Sequence, residues 1–241
     1  MKRNTDQAIG LNVHLKELRK RLVAVVIAFV LAILVVFQFT PSIVDHFVSI
    51  AARFGYRLVY LAPAELFGQY IKVAIVITIA VLIPFIIYQV WAFCSPGLSK
   101  KERGYFLGGI SFGLLFFTIG IAFAYMTILP FMLRFFFEVN TSSMIQASIS
   151  VSNYVSFIIS TLLMFGLIFE MPVLISILSL LGVLNATLLM KGRRVIIVLI
   201  FFICAVITPP DVVSQIMTSI PMILLFELSI GLSKWIGKRR G

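Results

Sequence analysis

IKVAIVITIAVLIPFIIYQVWAF, residues 71–93, is a run of 23 residues with a single charge, Lys72, near its start. At 1.5 Å of rise per residue a helix of this length reaches about 35 Å, enough to cross roughly 30 Å of hydrocarbon. In lipid the backbone N–H and C=O groups have no water to bond, so the run reads as a transmembrane helix that carries Pro84 and Gln89. The surrounding composition agrees. Of 241 residues, 61% are hydrophobic and 12% charged, and the mean hydropathy of +1.11 excludes an ordinary soluble domain.

The same yardstick gives six spans: 22–39, 71–93, 105–137, 154–181, 195–208 and 213–233. The expected fold is an all-α polytopic membrane protein, one integral domain over 1–241, with a polar N-terminus at 1–21 and a polar C-terminus at 234–241. The first run is longer than a signal h-region and lacks a small-residue cleavage site, so it is expected to remain as a span. The third run is too long for one upright helix and must tilt, bend near Pro130 or project beyond the bilayer. The fifth, VIIVLIFFICAVIT, has 14 residues and reaches only about 21 Å, while the sixth is polar in its first half. This hairpin is expected to thin the bilayer or lean on a partner.

Basic residues set the direction of the chain. Sixteen of the 20 Lys and Arg fall in the N-terminus, the loops 94–104 and 182–194, and the C-terminus; Arg53, Arg57, Lys72 and Arg134 fall on the other side. The positive-inside rule therefore predicts both termini in the cytoplasm of a multi-pass cell-membrane protein. The net charge of +11 marks this topology and not nucleic acid, because no basic face is interleaved with aromatics. Outside, residues 40–70 suit an amphipathic cap at the interface, and 138–153 form a Ser-rich connection.

The nine acids are the main functional signal. Glu17, in HLKELRKRL at 14–22, and Glu102, in SKKERG at 99–104, sit among cations at helix ends. By spacing, Glu17 pairs with Lys20 or Arg21, and Glu102 is a first-turn carboxylate; alternatively, the two face a common groove and clamp guanidinium groups bidentately. Glu170 lies mid-span, where an ionisable group costs roughly 2.5–3.5 kcal/mol and is protonated, paired or turned to a polar cavity. Pro172 frees a carbonyl in the turn before it. Asp211 is expected to cap the sixth helix, and Glu227 to be structural. Gly104, Gly108, Gly109 and Gly113 give small-xxx-small spacing for close helix approach. Cys94 and Cys204 read as apolar fillers.

No HExxH, GxSxG, P-loop or His cluster is present, so neither an enzyme nor a cofactor or metal site is expected. A small-solute or ion transporter using Glu170 is the alternative on residues alone.

Taken in order, HLxELRxRL at 14–22, PAELF at 63–67 with Lys72, Pro84, QVWAFCSPGLSKKER at 89–103, FGLIFEMP at 165–172, ITPPDVVSQ at 207–215, and Pro221 with LFE at 225–227 resemble the TatC family, the multispanning subunit of the twin-arginine protein translocase. The resemblance covers essentially the whole chain. It implies a receptor for twin-arginine signal peptides of folded cargo, self-association in the complex, single-span TatA- and TatB-type partners, and export driven by the proton-motive force. Glu17 and Glu102 would recognise the arginine pair. Arg19, Phe93, Pro96, Leu98, Lys101 and Arg103 match the positions around them, Glu170 matches the intramembrane acid, and Gln215 matches a polar position where the partners dock. Pro63 and Glu65 belong to the outer cap. Where family members often carry further basic residues after the loop glutamate, Glu102-Arg103 is here followed by Gly104 and Tyr105, so the cationic frame is thinner on that side.

Overall fold

The first apolar run does not end where its hydropathy falls. In a computed structural model, which describes residues 3–94, 100–140, 148–207 and 212–240, helix α1 runs from Arg3 to Arg53, far beyond the 22–39 expected, and passes through Pro41 without stopping. Two local features explain the continuation. Thr40 donates its hydroxyl to the Val36 carbonyl at 3.1 Å in the turn that Pro41 weakens. Beyond it, Val44, Phe47 and Ala51 fall on one helical face and are buried in the bundle. The amphipathic outer segment expected within 40–70 is thus largely the end of α1.

Gly55, with φ of +80°, then turns the chain; a Cβ there would meet the Phe137 ring at 2.7 Å, so the tight turn and the close approach both require glycine. Strand β1 (Arg57–Val59) follows and pairs in parallel with β2 (Ser148–Ser150), with Leu58 opposite Ile149. No strand was expected from the sequence, because three-residue strands leave no periodic signal. Tyr56, buried beside β1, donates to the Leu133 carbonyl at 2.7 Å. Burial pushes its phenol up to about 12.

Helix α2 (Glu65–Cys94) contains the opening stretch and continues through Pro84. The long third run is divided: α3 (Lys100–Phe123), a π-helical turn over Ala124–Ile128, and α4 (Leu129–Asn140). The irregularity falls one turn ahead of the expected Pro130. The Leu129 N–H reaches back five residues to the Ala124 carbonyl, which widens the turn at the point where proline withholds a donor. The fourth run is likewise two helices, α5 (Val151–Phe169), whose N-cap Ser150 accepts from the Ser152 and Asn153 N–H groups, and α6 (Met171–Leu180), which begins with Pro172. Glu170 is the residue between them. The chain ends in α7 (Ala186–Ile207) and α8 (Val212–Arg240).

Among the described residues, five helices are long and apolar enough to cross a membrane: Leu15–Arg53, Glu65–Val90, Gly108–Glu138, Val151–Leu180 and Val212–Lys238. Helix α7 carries Lys191, Arg193 and Arg194 in its first half, so its uncharged part is the short run beginning at Val195. Helices α1, α2 and α8 extend past both ends of the apolar runs from which they are read.

Two packing centres hold the bundle. One joins α1, α2, α4 and α5 through Val44, Val73, Leu133, Val155 and Ile158; the other joins α6, α7 and α8 through Ile175, Ile200, Cys204, Met222 and Phe226. Cys204 is a filler in the second, with its thiol 3.2 Å from the Met222 sulfur. Phe165, fully buried, bridges the centres together with Met164 and Met132. Leu22, Val26, Leu31 and Leu34 on the outer face of α1 stay exposed, as lipid-facing side chains do.

Candidate functional site

Glu17 and Arg21 are four residues apart on α1, and their side chains meet at 2.6 Å between Arg21 Nη2 and Glu17 Oε1, with Nε adding a second contact at 3.2 Å. The same guanidinium reaches across to α2. It donates to Gln89 Oε1 at 3.2 Å and to the Ala92 carbonyl at 3.0 Å. Ala92 lies in the last turn of α2, whose final carbonyls have no intrahelical donor and carry the negative end of the helix dipole. Arg21 is therefore a bracket between two helices, and Glu17 is fixed on its outer side with 28% of its side chain exposed. Glu17 Oε2 takes no hydrogen bond among the described residues. Lys16, Arg19 and Lys20 are exposed around it.

Arg21 and Gln89 are the residues that sequence reading underrated. Spacing offers Lys20 or Arg21 as equal partners for Glu17, and gives Gln89, carried by the span 71–93, no partner. Their meeting depends on helix packing over a sequence separation of 68 residues. Arg21→Ala removes three acceptors' partner at once and is expected to lower stability by about 1–2 kcal/mol, after allowance for solvent screening. Arg21→Lys should recover little of it, since one ammonium cannot span the fork. Thermal unfolding of the purified chain measures both.

The remaining expected residues divide by position. Phe93 is half-buried in the last turn of α2. Pro96, Leu98 and Asp211 lie outside the described residues. Lys101, Glu102 and Arg103 occupy the first turn of α3, and their side chains also lie outside what is described. Six Cα steps separate Cys94 from Lys100, at most about 21 Å of chain. The start of α3, which carries Glu102, thus lies within that reach of the end of α2, where Arg21 meets Ala92.

Glu170 forms a separate centre. It is 7% exposed, has no ion-pair partner among the described residues, and its Oε1 is without a hydrogen bond. Its carboxyl lies over Gly113 of α3, so close that a Cβ at that position would be 2.8 Å from Oε2. Eleven residues of helix from Glu102 to Gly113 amount to about 16 Å of rise, so the two acids do not share a site.

Gln215 turns inward, donating to the Phe201 carbonyl at 3.0 Å and closing the hairpin of α7 and α8. Glu227 pairs with Arg193 at 2.7 Å between the same helices. At the other end, Glu65 accepts from the Leu61 N–H at 2.6 Å, the Ser152 N–H at 2.9 Å and the Ser150 hydroxyl. The Glu65 N–H in turn donates to the Ala62 carbonyl at 3.0 Å, across a turn that contains Pro63. Gln69 and Lys72, further along α2, donate to Ser152 and Ser156, each at 2.7 Å. These bonds tie β2 and the start of α5 to α2. Among the described residues no three His, Cys, Asp or Glu gather as metal ligands would.

A family model described as "Sec-independent protein translocase protein (TatC)" matches residues 13–221. The Sec-independent protein translocase protein TatC of Carboxydothermus hydrogenoformans is 33% identical over 232 residues, covering 96% of this chain and 95% of that protein. TatC of Helicobacter pylori strain 26695 is 38% identical over 223 residues, 92% of this chain and 87% of its own. TatCd of Bacillus subtilis is 34% identical over 227 residues, 94% and 92% respectively. A crystal structure of the twin arginine translocase receptor TatC superposes with a TM-score of 0.83 at 32% identity, over 93% of this chain and 99% of that one. The family is one of membrane-embedded protein-transport components of the Tat complex and not of enzymes. On the match to the family model and on these identities, the chain belongs to the TatC family of Sec-independent protein translocase proteins.

Proposed function

We propose that the chain is the receptor subunit of its translocase, and that it binds the paired arginines of signal peptides between Glu17 on α1 and Glu102 on the first turn of α3. The observation that carries the reading is the state of Glu17: one carboxylate oxygen is held by Arg21, and the other is without a partner among the described residues at a half-exposed site. A guanidinium arriving there finds an oriented acceptor. Arg21 stays occupied with Gln89 and Ala92 while it does so. The exposed Lys16, Arg19 and Lys20 raise the local potential and disfavour unspecific cations, leaving selection to the planar fork of arginine. Phe93, Pro96, Leu98, Lys101 and Arg103, neighbours of Glu102 in the sequence, are assigned to the same site by their match to the family's motif.

In this reading both termini and the Glu17 end face the cytoplasm, the membrane is the cell's inner membrane, the Glu65 cap faces outward, and proton-motive force drives transport. Because Gln215 is turned into the hairpin, single-span partners of the TatA and TatB type would meet the apolar outer face of α7 and α8, where Val198, Phe202 and Ile220 are exposed. Membership in a protein translocase family supports protein transport over the solute-transporter reading of Glu170.

The test is peptide binding to the purified full chain. A twin-arginine signal peptide is expected to bind at least about tenfold more tightly than its Lys-Lys counterpart, the difference made by one bidentate pair. Equal affinity for the two peptides would remove the receptor reading.

A further inference from the structure

Where α8 leaves its apolar span, a cleft of about 690 Å³ opens between the α6–α7 turn and the end of α8, lined by Asn185, Thr187, Lys234, Trp235 and Lys238 among others. Its charge is one-sided. Lys234 and Lys238, one turn apart on α8, are exposed and have no carboxylate partner among the described residues; Glu227, the acid of α8, is held by Arg193. Asn185 Oδ1 accepts from the Leu188 N–H at 2.8 Å. The N–H groups of Ala186 and Thr187, at the same wall, have no intrahelical acceptor.

A second hollow of about 520 Å³ lies beside the cleft, between α3, α6 and α8, and is apolar: Gly108, Phe112, Val173, Ile177 and Leu232 line it. Trp235 belongs to the walls of both, with 53% of its surface exposed. An indole at this place, apolar on one side and polar on the other, marks the interface of a bilayer. A basic cleft at headgroup depth that adjoins an apolar trough along the span fits one molecule having both parts. A free inorganic anion would use the cleft and leave the trough without purpose.

We infer that the cleft and trough bind one anionic phospholipid, its phosphate held by Lys234 and Lys238 and an acyl chain lying along α3 and α6 past Trp235. The site is distinct from the Glu17 end of α1 and does not depend on the receptor reading. The sequence has two tryptophans, so Trp91→Phe leaves Trp235 as the only indole reporter in the full-length chain. Reconstituted in phosphatidylcholine nanodiscs, this variant is titrated with acyl-brominated phosphatidylglycerol or acyl-brominated phosphatidylcholine.

Quenching by the anionic lipid is expected at several-fold lower mole fraction than by the zwitterionic one, and millimolar inorganic phosphate should not reverse it. Lys234→Gln/Lys238→Gln is expected to bring the two curves together, whereas Lys16→Gln/Lys20→Gln, an equal loss of charge elsewhere, should keep them apart. The proposal is overturned by equal quenching from both lipids, by an unchanged preference in the Lys234→Gln/Lys238→Gln chain, by the same loss in the Lys16→Gln/Lys20→Gln chain, or by reversal with phosphate.

Discussion

Replacing Glu17 and Glu102 together by alanine is expected to reduce photo-crosslinking of a twin-arginine signal peptide more than a hundredfold, with each single replacement costing about tenfold. The magnitude follows from charge-assisted hydrogen bonds, worth roughly 1.5–3 kcal/mol each, where every 1.4 kcal/mol is a factor of ten. The fold should survive the change. Glu17 contributes only its pair with Arg21, and Arg21 retains Gln89 and Ala92 as acceptors on α2. The thermal midpoint of the double variant should therefore stay near that of the parent while crosslinking disappears. Raising the salt concentration should weaken the parent's binding as well, since the Debye length is about 10 Å at 0.1 M and the site is partly open to water. Undiminished crosslinking in the double variant would place recognition elsewhere on the chain.

The same pair of acids indicates what could be read from sequence and what could not. Apolar length alone located the five helices that are long and apolar enough to cross a membrane among the described residues, because lipid admits few ways to satisfy a backbone. It placed the breaks less well. Pro130 pointed to an irregular third helix, yet the π turn falls at Ala124–Ile128, where the missing donor is felt by the preceding turn. Pro172 pointed to polarity near Glu170, and the chain there is divided into α5 and α6 at Glu170 itself. The length of α1 was hidden, since hydropathy falls at Phe39 whereas the helix continues on an amphipathic pattern through Arg53. Side-chain partners across helices were hidden altogether. Nothing at positions 17–21 reveals that Arg21 reaches Ala92, and nothing in the Ser-rich 138–153 connection reveals that Ser150 and Ser152 wrap Glu65.

Two glycines of α3 should respond very differently to one added methyl group, and the difference isolates Glu170. At Gly120 a Cβ would lie 2.5 Å from the Phe165 carbonyl oxygen and 2.8 Å from the Phe169 Cβ. Both neighbours belong to the packed α5, one of them to its backbone, so α3 must move away as a unit. Gly120→Ala is expected to destabilise the protein by about 3 kcal/mol, the upper range for overpacking, and no single substitution on α5 should rescue it. At Gly113 the Cβ would meet only the Glu170 carboxylate, at 2.8 and 3.2 Å. That group ends a flexible side chain and can swing aside, so Gly113→Ala should cost about 1 kcal/mol. Glu170→Ala, by removing the carboxylate, should make Gly113→Ala nearly neutral; Glu170→Gln, which keeps the volume, should not. A double-mutant cycle on thermal unfolding in detergent measures the coupling between positions 113 and 170. Coupling near zero would mean that the Glu170 side chain does not rest on α3, and that its carboxyl faces the lipid-exposed side of the break between α5 and α6.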